Sequence, residues 1–393
     1  MSSGTAVVTP LDPSRQPGAN WNPHIGDEAQ ELVTRKLAHE SEDARAAVLS
    51  SAVSILSKSV DPQAATGSET GLVVGYVQSG KTLSFTTVMA LARDNGFQLV
   101  IVVAGTSKLL LKQSTDRLRK DLQIEEIEGS LRWKLYTNPA DNENTRRHIQ
   151  QTFGEWSDPL VPPSERATVL ITVMKNHGWL VQLRQMLASL NLAGRPVLII
   201  DDEADQASLN AKVNSGEQTT TYTRIMELRS ELPHHTFLQY TATPQAPLLI
   251  NIIDLLSPNF VEVLGAGPGY VGGKDFFVAL LHSHVRQIPP ADVASPLNVL
   301  VDPPASLLEA LRIFMVGVAS HLVRQGDTGN RSMLVHPSHR TASHHEFHNW
   351  VQGAFNSWQR TLALDESDPD RRDLLKEFAV AYEDLATTAP DIP

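Results

Sequence analysis

Hydrophobic positions between Gly71 and Pro244 gather into short β-branched runs, LVVGY, FQLVIVVAG, ATVLITV, RPVLIID and TFLQYTATP, each followed by a helix-compatible stretch. Strand-length runs alternating with helices predict a parallel sheet flanked by helices. Ahead of them, Leu32, Leu37, Ala46, Leu49, Val53 and Leu56 recur at helical spacing from Asp27 to about Ser59 and stop at the breaker-rich DPQAATGS of 61–68. The first twenty residues are rich in Pro, Ser and Gly without hydrophobic period and read as a loose arm. Past Pro244 come a Gly-rich stretch at 265–273 and a Pro-rich one at 289–304, then a helical segment from Ala305 to Gln325, the strand-like SMLVH at 332–336 and a helix past Trp350. The expected division is an arm with a helical extension (1–65), a main α/β lobe (66–260), a linker or insertion (261–304) and an incomplete second α/β lobe (305–393).

Composition narrows the class. The chain has 393 residues, 41% hydrophobic and 20% charged, enough apolar content for a large core, so neither a disordered chain nor a stapled mini-protein fits. With 44 Asp plus Glu against 33 Lys plus Arg the net charge is -11, which opposes wholesale wrapping in nucleic acid and leaves room for a local basic groove. Zero cysteines exclude disulfides, thiolate metal sites and a thiol nucleophile. The N-terminus lacks a signal-peptide pattern, and the uninterrupted apolar runs fall short of the ~20 residues that span a bilayer, so a cytoplasmic protein without membrane contact is expected.

Residues 75–82 read GYVQSGKT, matching G-x-x-x-x-G-K-[ST] between an apolar strand and a helix-compatible LSFTTVMALA. In such a loop the backbone amides and a helix N-terminus face phosphate, and glycine lets the chain approach closely. Gly75, Gln78, Ser79, Gly80, Lys81 and Thr82 are the nucleotide-binding candidates, with Lys81 bridging the terminal phosphates and Thr82 ligating Mg2+. The strand RPVLIIDDEAD at 195–205 runs into clustered acids that repel one another unless a cation joins them. Asp202 is the expected Mg2+ ligand and Glu203 the base for the attacking water; a solvated acidic cap is the plainer alternative, and Asp201 is read as a cap.

DEAD at 202–205 and TATP at 241–244 follow the phosphate loop in the order seen in helicase-like ATPases of the second superfamily. GLVVGYVQSGKT, AGTSKLLLKQSTDRL, LIIDDEADQAS, QYTATPQA and SMLVHPS resemble the Z-one domain family, large bacterial proteins labelled putative endonucleases that are often found beside restriction or phage-defence genes. The resemblance runs from about Gly71 to His348. It implies a RecA-like P-loop NTPase lobe using ATP and Mg2+, with Thr241 and Thr243 coupling hydrolysis to movement, a nucleic-acid partner (DNA), and a partner nuclease, methylase or other defence protein. Members are longer than this chain, so the resemblance also implies a shortened member.

Two features depart from that pattern. The Q-x-x-G-R-x-x-R string that supplies second-lobe arginines is missing, so weak turnover or an arginine in trans is expected. No lysine has an acid two positions ahead, so nuclease chemistry of the common metal-dependent type is not encoded here. Lys108, Lys112, Arg117, Arg119 and Lys120 mostly avoid the Leu111, Leu118 and Leu122 stripe; they are candidates for nucleic-acid phosphates, or an ordinary solvated face. His344 and His348 stand at i and i+4, a spacing able to chelate a metal, with surface histidines the plainer reading. The six tryptophans show no basic interleaving and are assigned to packing. The leading expectation is an ATP-hydrolysing, helicase-like component. The alternatives are a nucleotide-binding switch for a partner nuclease, or an ATP-dependent endonuclease with its nuclease site elsewhere.

Overall fold

The computed structural model describes residues 21–77, 80–124, 132–205, 220–244, 257–267, 269–295, 297–325, 330–338 and 341–392. The chain forms two compact units, 1–270 and 271–393.

Among its described residues the first unit is built on seven strands: β1 (Gly67–Val74), β2 (Leu99–Ala104), β3 (Trp133–Thr137), β4 (Thr168–Met174), β5 (Val197–Asp202), β6 (His234–Thr241) and β7 (Phe260–Val263). All pair in parallel, in the order β3-β4-β2-β5-β6-β1-β7. Between them run α3 (Lys81–Asp94), α4 (Lys108–Asp121), α5 (Glu143–Ser157), α6 (His177–Ala188) and α7 (Thr220–Ser230), after an N-terminal pair α1 (Asp27–Lys36) and α2 (Glu42–Ser57). Strand periodicity sorts the core into two layers. Val100, Val102, Leu198, Ile200, Leu238 and Tyr240 face the layer of α1 to α4, whereas Leu99, Ile101, Val103, Val197, Ile199 and Phe237 face the layer of α5 to α7. Burial on both faces explains why these central strands read as continuous apolar runs. The order, with the β1 and β5 strands separated by β6, makes this an α/β RecA-like lobe.

Two edge strands, β3 and β7, were absent from the sequence expectation, and β1 begins at Gly67, inside the segment taken for a helix breaker. Its polar start is held by pairing with β6, Gly67 to Val74 against His234 to Thr241. Gly71 is required where β1 passes β7, because a Cβ there would lie 2.4 Å from Phe260 Cζ. The helical extension is fixed by borrowed capping. Gly26 precedes α1 without a side chain to cap it, and the Asp94 carboxylate from the end of α3 accepts from Glu28 N at 3.1 Å and Ala29 N at 3.0 Å. Arg132 adds ion pairs to Glu28 and Glu31, each at 2.9 Å.

Among its described residues the second unit is helical, with α8 (Ala305–Gln325), α9 (Thr341–Leu362) and α10 (Pro369–Thr388) around Leu307, Leu311, Phe347, Trp358 and Leu374. Residues 332–336, expected as a strand, form no strand and have no ladder partner; the one β pairing among described residues in this unit is the isolated bridge Ser295–Asn298. Averaged over a window, Ala305–Arg324 is long and apolar enough to cross a bilayer by length and composition, a property that uninterrupted runs hide. The same helix ion-pairs Arg312 with Glu377 of α10 and lays that guanidinium 5.4 Å from the Trp358 ring centre.

Candidate functional site

In a parallel sheet the carboxyl ends of all strands lie on one edge, and ligands gather there. At this edge β6 stands between β1 and β5, and its end ties both turns down. Gly75 N donates to Thr241 O at 3.1 Å, and Ala204 N donates to Tyr240 O at 2.9 Å. The phosphate-loop turn and the acidic turn therefore open on the same side.

Gly80 precedes α3 with φ +93°, a left-handed conformation suited to glycine, and a Cβ built on it meets nothing within 4 Å. Lys81 and Thr82 open α3, so their amides belong to the helix end that attracts anions. Lys81 Nζ lies 3.9 Å from Glu203 Oε1. Gln78 and Ser79 lie outside the described residues. At the start of the loop Tyr270 donates to Val77 O at 2.8 Å and its ring lies 5.6 Å from that of Tyr76.

The acids divide by role. Asp201, read from sequence as a cap, is fully buried, and Lys175 Nζ lies 2.7 Å from its Oδ1. The same ammonium donates to Asp202 O at 2.8 Å and Glu203 O at 2.9 Å. These contacts brace a turn in which Glu203 has φ +54°, unusual for a side-chain-bearing residue. Asp202 is half-buried at the cavity. Burial, and then the neighbouring Glu203 carboxylate, pushes its pKa up to about 6 against the pull of Lys175 and Lys81. Asp205 accepts from Thr241 Oγ1 and Thr243 Oγ1, each at 2.7 Å. Burial alone would raise its pKa, but the hydroxyls of Thr243 and then Thr241 outweigh that and hold it below the usual value. Thr243 N also donates to Thr241 Oγ1 at 2.9 Å. The two threonines and the last acid of the DEAD string thus form one closed cluster.

The site opens into a cavity of about 980 Å3 whose walls include Gly80, Lys81, Thr82, Asp202, Glu203 and Arg117. An open left-handed glycine, a helix N-terminus bearing a lysine and a hydroxyl, and a carboxyl short of positive charge are donors that suit a polyphosphate with Mg2+. No group of three or more His, Asp or Glu able to hold a metal occurs among the described residues. A divalent ion here would therefore rest on Thr82, Asp202 and ligand oxygens together.

The five basic candidates do not act as one stripe. Arg117 turns into the cavity and donates to Thr82 Oγ1 at 3.1 Å. Lys112 pairs with Asp116 at 2.7 Å, and Arg119 stands 3.8 Å from the same carboxylate. Lys108 and Lys120 are exposed. His344 meets the Ser338 carbonyl at 2.7 Å and His336 ring to ring at 5.2 Å, so a backbone contact occupies one of its nitrogens. Three tryptophans donate inward as packing residues do: Trp133 to Glu28, Trp21 to Ser59 O and Trp156 to Ala167 O. Lys175, Asp205 and Tyr270 escaped the sequence reading. Only Asp205 carried a signal, as the last letter of the DEAD string.

A family model, the Z1 domain, matches residues 306–392. It overlaps the quoted strings only at their C-terminal end, since most of them precede it. No curated protein matches the chain. Similar solved structures include the Pyrococcus furiosus Hef helicase domain, at 15% identity and TM-score 0.35, covering 89% of this chain and 59% of that one. A DEAD box protein from Methanococcus jannaschii shows 14% identity and TM-score 0.36, with 61% and 54% covered. The DUF1998 helicase MrfA shows 12% identity and TM-score 0.41, with 88% and 43% covered. The chain thus spans roughly half the length of these solved chains.

Proposed function

We propose that the first unit is a helicase-like ATPase lobe that hydrolyses Mg-ATP. The observation that carries this reading is the approach of Lys81 Nζ to within 3.9 Å of Glu203 Oε1, across β6, at the mouth of one cavity. Thr82 and Asp202 would hold Mg2+, which when bound neutralises phosphate charge. Lys81 and the amides opening α3 bind the phosphate chain. Glu203, its backbone braced by Lys175, orients the attacking water and accepts its proton. The Asp205–Thr241–Thr243 cluster joins the acidic turn to the end of β6, which supports a coupling role for the threonines: a shift at Glu203 is felt through Asp205 by the segment after β6.

DNA is the proposed nucleic-acid partner, with translocation and a restriction or phage-defence setting, including a partner nuclease or methylase, as the finer reading that the family resemblance of the sequence implies. Lys108 and Lys120 remain the exposed candidates for backbone phosphate. The test is phosphate release with and without DNA, comparing the wild-type chain with Lys81→Ala. The expected result is DNA-stimulated release that falls at least tenfold in the variant. Release unchanged by Lys81→Ala would remove the site assignment, and binding without turnover would move the chain to the nucleotide-switch reading.

A further inference from the structure

Arg117 is placed by helix geometry. The buried side of α4 is Leu111, Thr115 and Leu118, at i, i+4 and i+7. Leu110, Gln113, Ser114 and Arg117 form the adjacent row, and all four line the cavity. At its end the guanidinium donates to the hydroxyl of Thr82, 35 residues away in sequence. That hydroxyl is, with Asp202, one of the two protein groups proposed to hold Mg2+. A guanidinium donor and a divalent cation brought onto this one small hydroxyl oxygen would repel each other. The two occupants therefore exclude one another. Asp116, the nearest acid in sequence, is engaged by Lys112 and Arg119 instead. A displaced Arg117 stays in the cavity, because its α4 backbone is anchored by the buried row. Its planar fork of donors matches a phosphate better than any remaining group there.

We propose that Arg117 is a phosphate-sensing arginine supplied by the same lobe: its bond to Thr82 yields to one with the terminal phosphate when the Mg2+ complex of a nucleoside triphosphate enters. The inference rests on the ATPase reading and deepens it, since it gives the site a preference for triphosphate over diphosphate from within one lobe.

The experiment is a fluorescence titration of the full chain with a labelled, slowly hydrolysed ATP analogue and with labelled ADP, each with Mg2+. It compares wild type, Arg117→Ala, Arg117→Lys and Lys81→Ala. Arg117 is exposed on α4, so its substitutions leave the core intact. Loss of a charge-assisted phosphate contact should weaken the triphosphate analogue roughly ten- to a hundredfold in Arg117→Ala. ADP affinity should stay within about threefold, and Arg117→Lys should recover only part of the loss, having charge without the fork. Lys81→Ala should weaken both ligands. Equal losses for the two ligands in Arg117→Ala, or no loss, overturn the inference and leave the ATPase reading standing. A wild-type chain that binds neither ligand overturns both.

Discussion

Lys175 offers the sharpest test of how the acidic turn is held. Its side chain is 1% exposed and that of Asp201 is 0%, with 2.7 Å between them. The ammonium donates to Asp202 O and Glu203 O and makes an ion pair with Asp201 Oδ1. Lys175→Met keeps the length and apolar bulk while removing the charge, which strands a carboxylate at the end of β5. Breaking a buried pair from one side costs about 3–5 kcal/mol. At about 2–4 °C per kcal/mol for a unit of this size, the melting temperature should fall by roughly 6–20 °C. Urea titration and thermal melting followed by circular dichroism measure both quantities. The double variant Lys175→Met with Asp201→Leu should regain most of the stability, because it removes both charges. Its hydrolysis should stay low, since the carbonyls of Asp202 and Glu203 still lack their donor and Glu203 is no longer braced at φ +54°. A single-variant loss below about 1 kcal/mol, or a double variant no more stable than Lys175→Met, would refute the reasoning.

Two further outcomes follow from named contacts. Glu203→Gln preserves the shape of the turn but removes the proton acceptor, so kcat should fall about 10^2- to 10^4-fold while nucleotide affinity stays within a few-fold; an unchanged rate in single-turnover phosphate release would exclude Glu203 as the base. At the other end of the sheet, burial and then the Arg229 guanidinium push the pKa of His235 from 6.5 down to about 4, with the Leu232 carbonyl accepting from Nδ1 and Arg229 Nε donating to Nε2. The unfolded chain then binds a proton that the folded chain refuses, so stability present above pH 6.5 declines as pH falls towards 4 and levels off below it. The decline is about 3 kcal/mol. Urea titrations across that window should give a flatter profile for His235→Gln, and parallel profiles for the two proteins would refute the assignment.

What the sequence disclosed was what short, contiguous physics controls. The phosphate loop needs only a glycine turn running into a helix, so GYVQSGKT could be read directly. Strands such as VIVVA of β2 are buried on both faces and announce themselves by unbroken apolar residues. The edge strands lack that signal. WKLYT and FVEV each have one buried residue, then half-buried ones and an exposed last residue, so Lys134 and Glu262 interrupt the pattern. The polar start of β1 becomes a strand only because β6 lies beside it. For the helical second unit, SMLVH has the composition of a strand without a described partner, and composition cannot supply one.

The electrostatics of the site were hidden for a different reason. Three consecutive acids at 201–203 read as one cluster, yet the sheet separates them. Asp201 turns inward to a lysine at the end of β4, while Asp202 and Glu203 line the cavity with Lys81 and Arg117. The cations paired with these acids come from far along the chain, Lys175 beside Asp201 and Lys81 beside Glu203, while Arg117 reaches the same cavity at Thr82. In sequence, Lys175 follows a strand and Arg117 sits among surface-like charges, so nothing local distinguishes them from solvated residues. Their role arises from topology, because β2 lies between β4 and β5 and α4 follows β2. At the cavity Lys81 stands beside Glu203 and Arg117 beside Thr82, and a triphosphate with its metal must disturb both contacts. Lys175 is locked by three buried contacts. Lys81 is mostly buried at the helix start. Arg117 is exposed on a helix face and, among the described residues, its hydrogen bond at the site is to the Thr82 hydroxyl, so it can move at lower cost than the buried lysines.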